Sequence, residues 1–302
     1  MGVLTLQPTR QNRLRKTSRR LTIPGATRSL HYRARPLVMG ILNVTPDSFS
    51  DGGTYRDPES AVARGIQMAA EGADVIDVGG ESTRPGSAGV LLEEELRRVI
   101  PVIAQLAARV RIPLSIDTAK AEVARQAVEA GASLVNDVTA LQADPDMARV
   151  VARNKAAVIL MHMRGTPRSM QRAPRYRDVV RDVATSLLDA VDRAQLAGID
   201  RSRILIDPGL GFGKTLRHNL ELMNQLQQFV ELGVPVVVGP SRKSFIGATL
   251  NVDVQDRPAG TLACVAMAQR AGVHVVRVHD VRPTVQFLHM LQAIEEADAT
   301  RR

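Results

Sequence analysis

Short apolar runs alternate with amphipathic segments along the chain from residue 37 onward. Each run is followed by a polar or glycine-rich turn and then by apolar positions at helical spacing. Eight such runs occur, at residues 37–42, 74–79, 112–117, 133–137, 156–162, 203–207, 234–239 and 274–279. Because the runs are continuously apolar, they indicate strands buried on both faces of a parallel sheet. Eight strand–helix units in about 265 residues predict an α/β fold, a (β/α)8 TIM barrel, with a doubly wound open sheet as the alternative.

Capping residues mark the ends of the predicted helices. Asp57 precedes Pro58, which is a favourable order for an N-cap and the first helical residue. Gly72 ends the same helix, and a glycine also follows the last turn of three later helices. Glycine is favoured there because it adopts the left-handed cap conformation without a Cβ clash. Pro258 is likewise predicted to begin a helix.

The N-terminal residues differ from the rest in charge. The net charge of the chain is +9, but residues 1–46 hold nine of the 40 Lys and Arg residues and no Asp or Glu. The other 31 basic residues therefore balance the 31 acidic ones. We predict a disordered basic leader at residues 1–20 and one barrel domain at 21–302, with a short hairpin at 21–36 that plugs the barrel bottom.

Several interpretations of the leader remain open. It is compatible with a passive tail from an upstream start, with a tail that touches RNA or an acidic surface, and with an Arg-rich transit peptide. The leader does not interleave its basic residues with aromatic ones, so no stacking platform for bases is visible and no nucleic-acid partner is predicted.

The cysteine content and the length of the apolar runs limit the compartment. Cys264 is the single cysteine, which excludes an internal disulfide framework and fits a reducing compartment. No apolar run approaches the roughly 20 residues that span a bilayer, and no signal-peptide core is present. We therefore expect a cytoplasmic protein without a membrane partner.

Polar or glycine-rich residues follow all eight predicted strands. In this type of barrel the site lies at the C-terminal ends of the strands, so these residues should meet at one rim. Strand 1 runs into "NVTPDSFSDGG", strand 2 into "GGESTRPGS", strand 6 into "PGLGFGKT" and strand 7 into "GPSRKSF". The strand-end residues of the other four strands are Asp117, Asn136 with Asp137, Met161 with His162, and Arg277 with His279 and Asp280.

The residue types at this rim suggest two kinds of ligand group. Asp117, Asn136 and Asp207 could satisfy a flat heterocycle with amide-like N–H and amino groups, although Asp117 could instead cap the following helix. Positive charge for an anionic group, most simply phosphate, is available nearby. It comes from Arg242, Lys243 and Arg277 with His279, and Ser241 lies before a helix start, where anions are often held.

Three other patterns are weaker. "GLGFGKT" resembles a P-loop, but the position that needs the first glycine is Pro208. Residues 43–45 form a glycosylation sequon in a chain without a secretion signal. The six histidines show no metal-ligand spacing, so a zinc site is not expected. His162 could pack in the core or line the site.

Eight motifs, in order, resemble the dihydropteroate synthase family over roughly residues 21–295. They are "MGILNVTPDSFSDGG", "DVGGESTRPG", "SIDT", "LVNDV", "MHMRGTP", "IDPGLGFGKT", "SRKSFIG" and "RVHDV". The resemblance implies an enzyme of folate synthesis in which p-aminobenzoate displaces pyrophosphate from 6-hydroxymethyl-7,8-dihydropterin pyrophosphate. It also implies C–O cleavage ahead of attack, a pterin cation, Mg²⁺ as cofactor, sulfonamides as competitive inhibitors, and a homodimer.

The resemblance assigns roles to individual residues of this sequence. The implied pterin ligands are Asp117, Asn136, Met161, Asp207, Lys243 and Arg277. The implied pyrophosphate ligands are Asn43, Thr83, Arg84, Arg277 and His279, with Asn43 also contacting Mg²⁺. The implied p-aminobenzoate contacts are Phe49, Pro85, Phe212, Ser241 and Arg242, and the implied catalytic residues are Asp47, Arg84 and Lys243. For Asp47 an ordinary turn is the competing interpretation.

Two other functions remain as alternatives. A pterin-binding barrel that transfers a methyl group from methyltetrahydrofolate would share the Asp and Asn pocket but should lack "NVTPDSFSDGG" and "SRKSF", which are both present. A pterin-binding paralogue without turnover should have lost catalytic loop residues, and no such loss is seen.

Overall fold

The computed structural model describes residues 20–21, 30–31, 35–44, 58–82, 87, 89–166 and 169–299. Its main sheet has eight parallel strands: β1 (Leu37–Asn43), β2 (Val75–Gly79), β3 (Leu114–Asp117), β4 (Leu134–Asp137), β5 (Ala157–Met161), β6 (Ile204–Asp207), β7 (Val237–Val238) and β8 (Val275–Val278). Neighbours in sequence pair from β1 to β6, and β8 pairs with both β1 and β7. A bridge between Ile206 and Val236 joins β6 to the approach of β7. The sheet therefore closes, which confirms the barrel and makes the open-sheet alternative wrong.

Helices surround the strands, as the apolar spacing predicted. They are α1 (Pro58–Ala70), α2 (Leu92–Arg109), α3 (Ala121–Glu129), α4 (Met147–Arg153), α5 (Val179–Leu196), α6 (Leu216–Asn224), α7 (Leu226–Val230), α8 (Ser244–Leu250), α9 (Pro258–Ala271) and α10 (Val281–Ala299). Pro58 and Pro258 each begin a helix, as predicted, whereas Asp57 lies outside the described residues. Gly72 and Gly272 have φ angles of +97° and +80°, which explains glycine at these helix ends. No helix among the described residues is long and apolar enough to cross a membrane.

The barrel interior has an apolar layer below and a polar layer above. Side chains that point inward from the first halves of the strands form one apolar cluster, which includes Val75, Leu134, Leu205 and Val275. Side chains two positions apart share a face of a strand. The next inward residues are therefore Asp77, Asn136, Asp207 and Arg277. The strand period thus carries these four strands from core packing to polar chemistry at the C-terminal rim.

The N-terminal strands are described only in part. Arg20–Leu21 pairs antiparallel with Leu30–His31 in a separate two-stranded sheet. Residues 1–19, 22–29 and 32–34 lie outside the described residues. The predicted hairpin plug and the disordered leader therefore stay predictions.

Candidate active site

Arg277 is the centre of the polar layer. Its Nε donates to Asp77 Oδ2 at 2.6 Å, and its Nη2 donates to Asp117 Oδ2 at 2.6 Å. The Asn136 amide also donates to Asp77 Oδ2, at 3.0 Å. One guanidinium thus ties together side chains from β2, β3 and β8, and three predicted ligands (Asp117, Asn136 and Arg277) meet as expected.

Asp77 is the residue of this layer that sequence reasoning missed. Its side chain is fully buried, and its Oδ1 has no hydrogen-bond partner among the described atoms. The available signal was a carboxylate inside the apolar run of residues 74–79, two positions from Val75 on the same face. A buried ion of this kind is costly unless it is paired. Asp77 is paired here, because its Oδ2 accepts from Arg277 and Asn136 and so holds both side chains in position.

The two predicted pterin carboxylates are buried. Burial raises the pKa of Asp117 to about 7, against the opposing effect of Arg277. Burial also raises the pKa of Asp207, and the Gly209 N–H, which donates to Asp207 Oδ1 at 2.7 Å, opposes that rise together with Lys243 and Arg277. Both carboxyls have been removed from water, so a hydrogen bond that a ligand donates to them would be stronger than the same bond in solvent.

Lys243 and Phe212 lie in contact at the barrel rim. The Lys243 ammonium lies 4.2 Å from the centroid of the Phe212 ring, within the range of a cation–π contact. Phe212 belongs to the loop after β6, where Gly211 has a φ of +83°. A Cβ at Gly211 would lie 3.3 Å from Lys243 Cδ, so glycine lets the loop approach the lysine closely.

Ser241 and His279 form a second polar contact at the rim. Ser241 Oγ lies 2.9 Å from His279 Nδ1, and the His279 backbone N–H donates to Ser241 Oγ at 3.1 Å. Burial, together with Arg277 and Arg242, lowers the pKa of His279 to about 3. The imidazole is therefore neutral near pH 7 without a ligand, so the expected positive charge must come from Lys243 and the arginines.

Arg242 points its guanidinium at Asp280. Its Nε donates to Asp280 Oδ2 at 3.0 Å, its backbone N–H donates to Thr261 Oγ1 at 3.1 Å, and its carbonyl accepts from Arg257 Nη1 at 3.0 Å. The backbone φ of Arg242 is +56°, a strained value for a residue with a Cβ. The side chain is thus held by Asp280, and its predicted contact with p-aminobenzoate stays a prediction.

A cavity of about 400 Å³ opens beside the polar layer. Asp117 and Met161 are the predicted ligands on its wall, and Thr118, Val138 and His162 also line it. This volume is in the range of small-molecule sites. His162, for which core packing and site lining were both open, lines this cavity.

The "GLGFGKT" loop is not built like a P-loop. Lys214 is 3% exposed and donates to the carbonyl oxygens of Phe212 at 3.0 Å and His162 at 3.3 Å. A P-loop lysine would instead reach a phosphate. Sequence reasoning dismissed the pattern correctly but overlooked the buried lysine.

Asn43 ends β1 at the same rim. A Cβ built on Gly79, its partner in register on β2, would lie 3.9 Å from Asn43 Oδ1 and 3.5 Å from Asp117 Cβ. Within the described residues, no three His, Cys, Asp or Glu side chains are grouped as a metal centre. The predicted residues Asp47, Phe49, Thr83, Arg84 and Pro85 lie outside the described part of the chain.

Comparison with known proteins identifies the family. Residues 39–279 match the model of the pterin binding enzyme family. The chain is 46% identical to the dihydropteroate synthase of Escherichia coli (strain K12) over 269 residues, which cover 89% of this chain and 95% of that protein.

Solved structures are equally similar. The Xanthomonas albilineans dihydropteroate synthase with 4-aminobenzoic acid superposes with a TM-score of 0.86 at 49% identity, covering 91% of this chain and 98% of that one. The Yersinia pestis dihydropteroate synthase in a sulfonamide drug complex gives a TM-score of 0.84 at 44% identity, covering 89% and 98%. The chain belongs to the pterin-binding enzyme family and, within it, to the dihydropteroate synthases.

Proposed function

We infer that the protein is a dihydropteroate synthase, a transferase that makes 7,8-dihydropteroate and pyrophosphate from 6-hydroxymethyl-7,8-dihydropterin pyrophosphate and p-aminobenzoate. The observation that carries this inference is the closed polar layer of Asp77, Asp117, Asn136 and Arg277 at the barrel mouth. It offers buried acceptors and an amide to a pterin ring. The similar enzyme from Xanthomonas albilineans holds 4-aminobenzoic acid, which supports the second substrate.

We propose that the pterin ring lies over the apolar layer and against Met161. Asp207 would accept hydrogen bonds from the amino and ring N–H groups, while Asn136 and Asp117 would pair with the remaining ring edge. Lys243 would complete the pocket from the loop after β7. These groups suit the ligand because buried carboxylates accept strong hydrogen bonds from a guanidine-like edge.

We propose that p-aminobenzoate lies nearer the mouth. Its ring would pack between Phe212 and the Lys243 stem, with Phe49 and Pro85 on the loops after β1 and β2. Its carboxylate would approach Ser241 and Arg242, before the first turn of α8. The 4.2 Å contact between Lys243 and Phe212 supports a shared wall between the two substrates.

The pyrophosphate would bind at the rim beside β1 and β8. We assign it to Arg277, His279, Thr83 and Arg84, with Asn43 holding Mg²⁺. The fit is reasonable because Mg²⁺ prefers oxygen ligands and keeps several waters, and Asn43 Oδ1 stands on the same rim as Asp117. When bound, Mg²⁺ would neutralise charge on the leaving pyrophosphate.

The reaction is proposed to begin with cleavage of the C–O bond. Pyrophosphate leaves with the bonding electron pair, and a resonance-stabilised pterin cation remains at the methylene carbon. The amine of p-aminobenzoate then forms the C–N bond and releases one proton. Asp47 would supply negative charge where the cation develops, and Arg84 and Lys243 would hold the departing and entering groups. The loops after β1 and β2 would exclude water, which competes for the cation.

Turnover is tested with purified protein, dihydropterin pyrophosphate, p-aminobenzoate and Mg²⁺. Dihydropteroate and pyrophosphate should form only when both substrates and the metal are present. Binding of the pterin pyrophosphate without product would indicate the silent paralogue. Methyl transfer from methyltetrahydrofolate would indicate the methyltransferase-like alternative.

Asp47→Ala should lower kcat at least tenfold while leaving the Kd for the pterin pyrophosphate nearly unchanged. The carboxylate is proposed to act on charge that develops only during C–O cleavage, so its loss should spare ground-state binding. Single-turnover kinetics and calorimetry measure the two quantities separately. Loss of pterin pyrophosphate binding in Asp47→Ala would make Asp47 a structural residue instead.

A sulfonamide drug should raise the KM for p-aminobenzoate without changing kcat. The expectation rests on the sulfonamide complex of the similar Yersinia pestis enzyme and on a ring wall that includes Phe212. Initial rates over a grid of both concentrations distinguish the inhibition types. Inhibition that saturating p-aminobenzoate does not relieve would contradict the shared site.

We further propose that the enzyme works as a homodimer in the cytoplasm. A single cysteine, Cys264, half-buried and unpaired, is compatible with a reducing compartment. Sedimentation of the purified protein would report the oligomeric state.

A further inference from the structure

Lys214 is a buried cation behind the proposed active site. It is 3% exposed, and its Nζ has three close partners. These are His162 Nδ1 at 2.9 Å, the Phe212 carbonyl at 3.0 Å and the His162 carbonyl at 3.3 Å. An ammonium group has three N–H donors, so its donors match the acceptors in number.

His162 joins this lysine to the end of β5. Its backbone N–H donates to the Asp207 carbonyl at 2.9 Å, so His162 continues the pairing of β5 with β6. A Cβ at Gly209 would lie 2.0 Å from the His162 carbonyl oxygen. The loop after β6 therefore rests directly on the His162 backbone, and only glycine allows that approach.

The same loop carries Phe212. The Phe212 N–H donates to the Gly209 carbonyl at 3.1 Å, and its carbonyl accepts from Lys214. From the other side, Asn219 accepts from the Gly211 N–H at 2.7 Å. Two buried side chains thus fix the backbone on either side of Phe212, whose ring faces Lys243.

We propose that Lys214 and His162 form a positioning pair that fixes the Phe212 ring as the platform for p-aminobenzoate. The proposal rests on the proposed function, because Phe212 matters here as a wall of the p-aminobenzoate subsite. The proposal assigns neither member of the pair a contact with the substrates. Their effect passes through the Phe212 carbonyl and the loop backbone. Loss of the pair should therefore weaken p-aminobenzoate binding more than pterin binding.

The electrostatics of the pair add a second signature. Burial lowers the pKa of Lys214 to about 7, with Asp207 acting against the shift and Lys243 adding to it. Burial and Lys214 lower the pKa of His162 to about 3, with Arg164 adding to the shift, so His162 stays neutral and accepts at Nδ1. As pH rises through about 7, Lys214 loses its proton and keeps two donors for three acceptors. The KM for p-aminobenzoate should therefore rise above neutral pH.

The first test is Lys214→Met, which removes all three donors and leaves an unbranched apolar side chain one heavy atom shorter. We expect its KM for p-aminobenzoate to rise about tenfold and to lose its dependence on pH above 7, while the Kd for the pterin pyrophosphate changes less than threefold. Lys155→Met, at an exposed position, is the matched control and should behave like the wild type. The proposal would be overturned if Lys214→Met melts like the wild type and has an unchanged KM for p-aminobenzoate. It would also be overturned if binding of p-aminobenzoate and binding of the pterin pyrophosphate were weakened equally.

A second pair of variants covers the case in which Lys214→Met does not fold. Asparagine places an amide oxygen near the position of Nδ1, whereas leucine places no acceptor there. His162→Leu should raise the KM for p-aminobenzoate, whereas His162→Asn should have a KM close to that of the wild type. Equal KM values in these two variants would refute the pair.

Binding separates this proposal from the proposed function. Calorimetry of p-aminobenzoate, with pyrophosphate and Mg²⁺ present, compares the same variants without turnover. If the wild type makes no dihydropteroate, the proposed function fails. Weaker p-aminobenzoate binding in Lys214→Met than in Lys155→Met would then still support the positioning pair, and equal binding would refute it.

Discussion

Asp207→Ala should weaken pterin pyrophosphate binding by about thirtyfold to several thousandfold and lower turnover steeply at ordinary substrate concentrations. Asp207 is 6% exposed and lies at the C-terminal end of β6, where its proposed partners are the amino and ring N–H groups of the pterin. Truncating one member of a buried, charged hydrogen-bonded pair costs about 2–5 kcal/mol. Calorimetric titration with the pterin pyrophosphate measures the effect directly.

Two control variants separate charge from loop support. Asp207→Asn can still accept from the Gly209 N–H, so it should keep the loop in place and yet bind the pterin poorly. Asp189→Ala, at an exposed position on α5, removes a carboxylate elsewhere and should bind like the wild type. Near-normal turnover of Asp207→Ala would show that the pterin is bound by other residues.

Arg277→Met should abolish pterin pyrophosphate binding and also lower the free energy of unfolding by about 3–5 kcal/mol. Arg277 pairs with two carboxylates. Its removal leaves Asp77, which is fully buried, without its guanidinium partner, and leaves Lys243 as the favourable charge near Asp117. Denaturant unfolding measures the stability term, and calorimetry measures binding.

A double variant tests whether the stability loss comes from the orphaned carboxylates. Asp77→Asn added to Arg277→Met removes one buried charge, so it should recover part of the lost unfolding free energy without recovering binding. Arg282→Met, at an exposed position on α10, is the matched control. If Arg277→Met unfolds at the same denaturant concentration as the wild type, the ion pairs of Arg277 with Asp77 and Asp117 do not stabilise the fold.

The fold was predictable because strand and helix periods are local properties of the sequence. Boundaries differed by one or two residues for most strands. β7 is shorter than its apolar run because Pro235 and Val236 meet β6 only through the Ile206 N–H and a single bridge. The place of the polar residues at the strand ends was predictable for the same reason, whereas their roles as ligands stay predictions. Their position follows from where each apolar run stops.

The missed residues depend on contacts that sequence spacing does not encode. Asp77 lies inside a strand, and its importance comes from Arg277, 200 positions away. Lys214 lies in a loop whose glycines suggested a phosphate cradle, and its partner His162 belongs to another loop. The sequence did not indicate that the Arg242 guanidinium donates to Asp280, and the predicted contact of Arg242 with p-aminobenzoate stays a prediction. In each case the deciding neighbour is far away in sequence and comes close only in the folded barrel.

The closure of the barrel is uneven, and this affects how a ligand acts on the whole molecule. β1 and β2 pair over five positions, whereas the described backbone joins β6 to the β7 side through one bridge, with the Ile206 N–H donating to the Pro235 carbonyl at 2.9 Å. Asp207 stands on one edge of this seam, and Ser241 and Lys243 follow the other edge. A substrate that contacts both edges would add bonds between β6 and β7, where the described backbone joins the barrel through one bridge. Substrate recognition and the mechanical integrity of the barrel would then be two aspects of the same contacts.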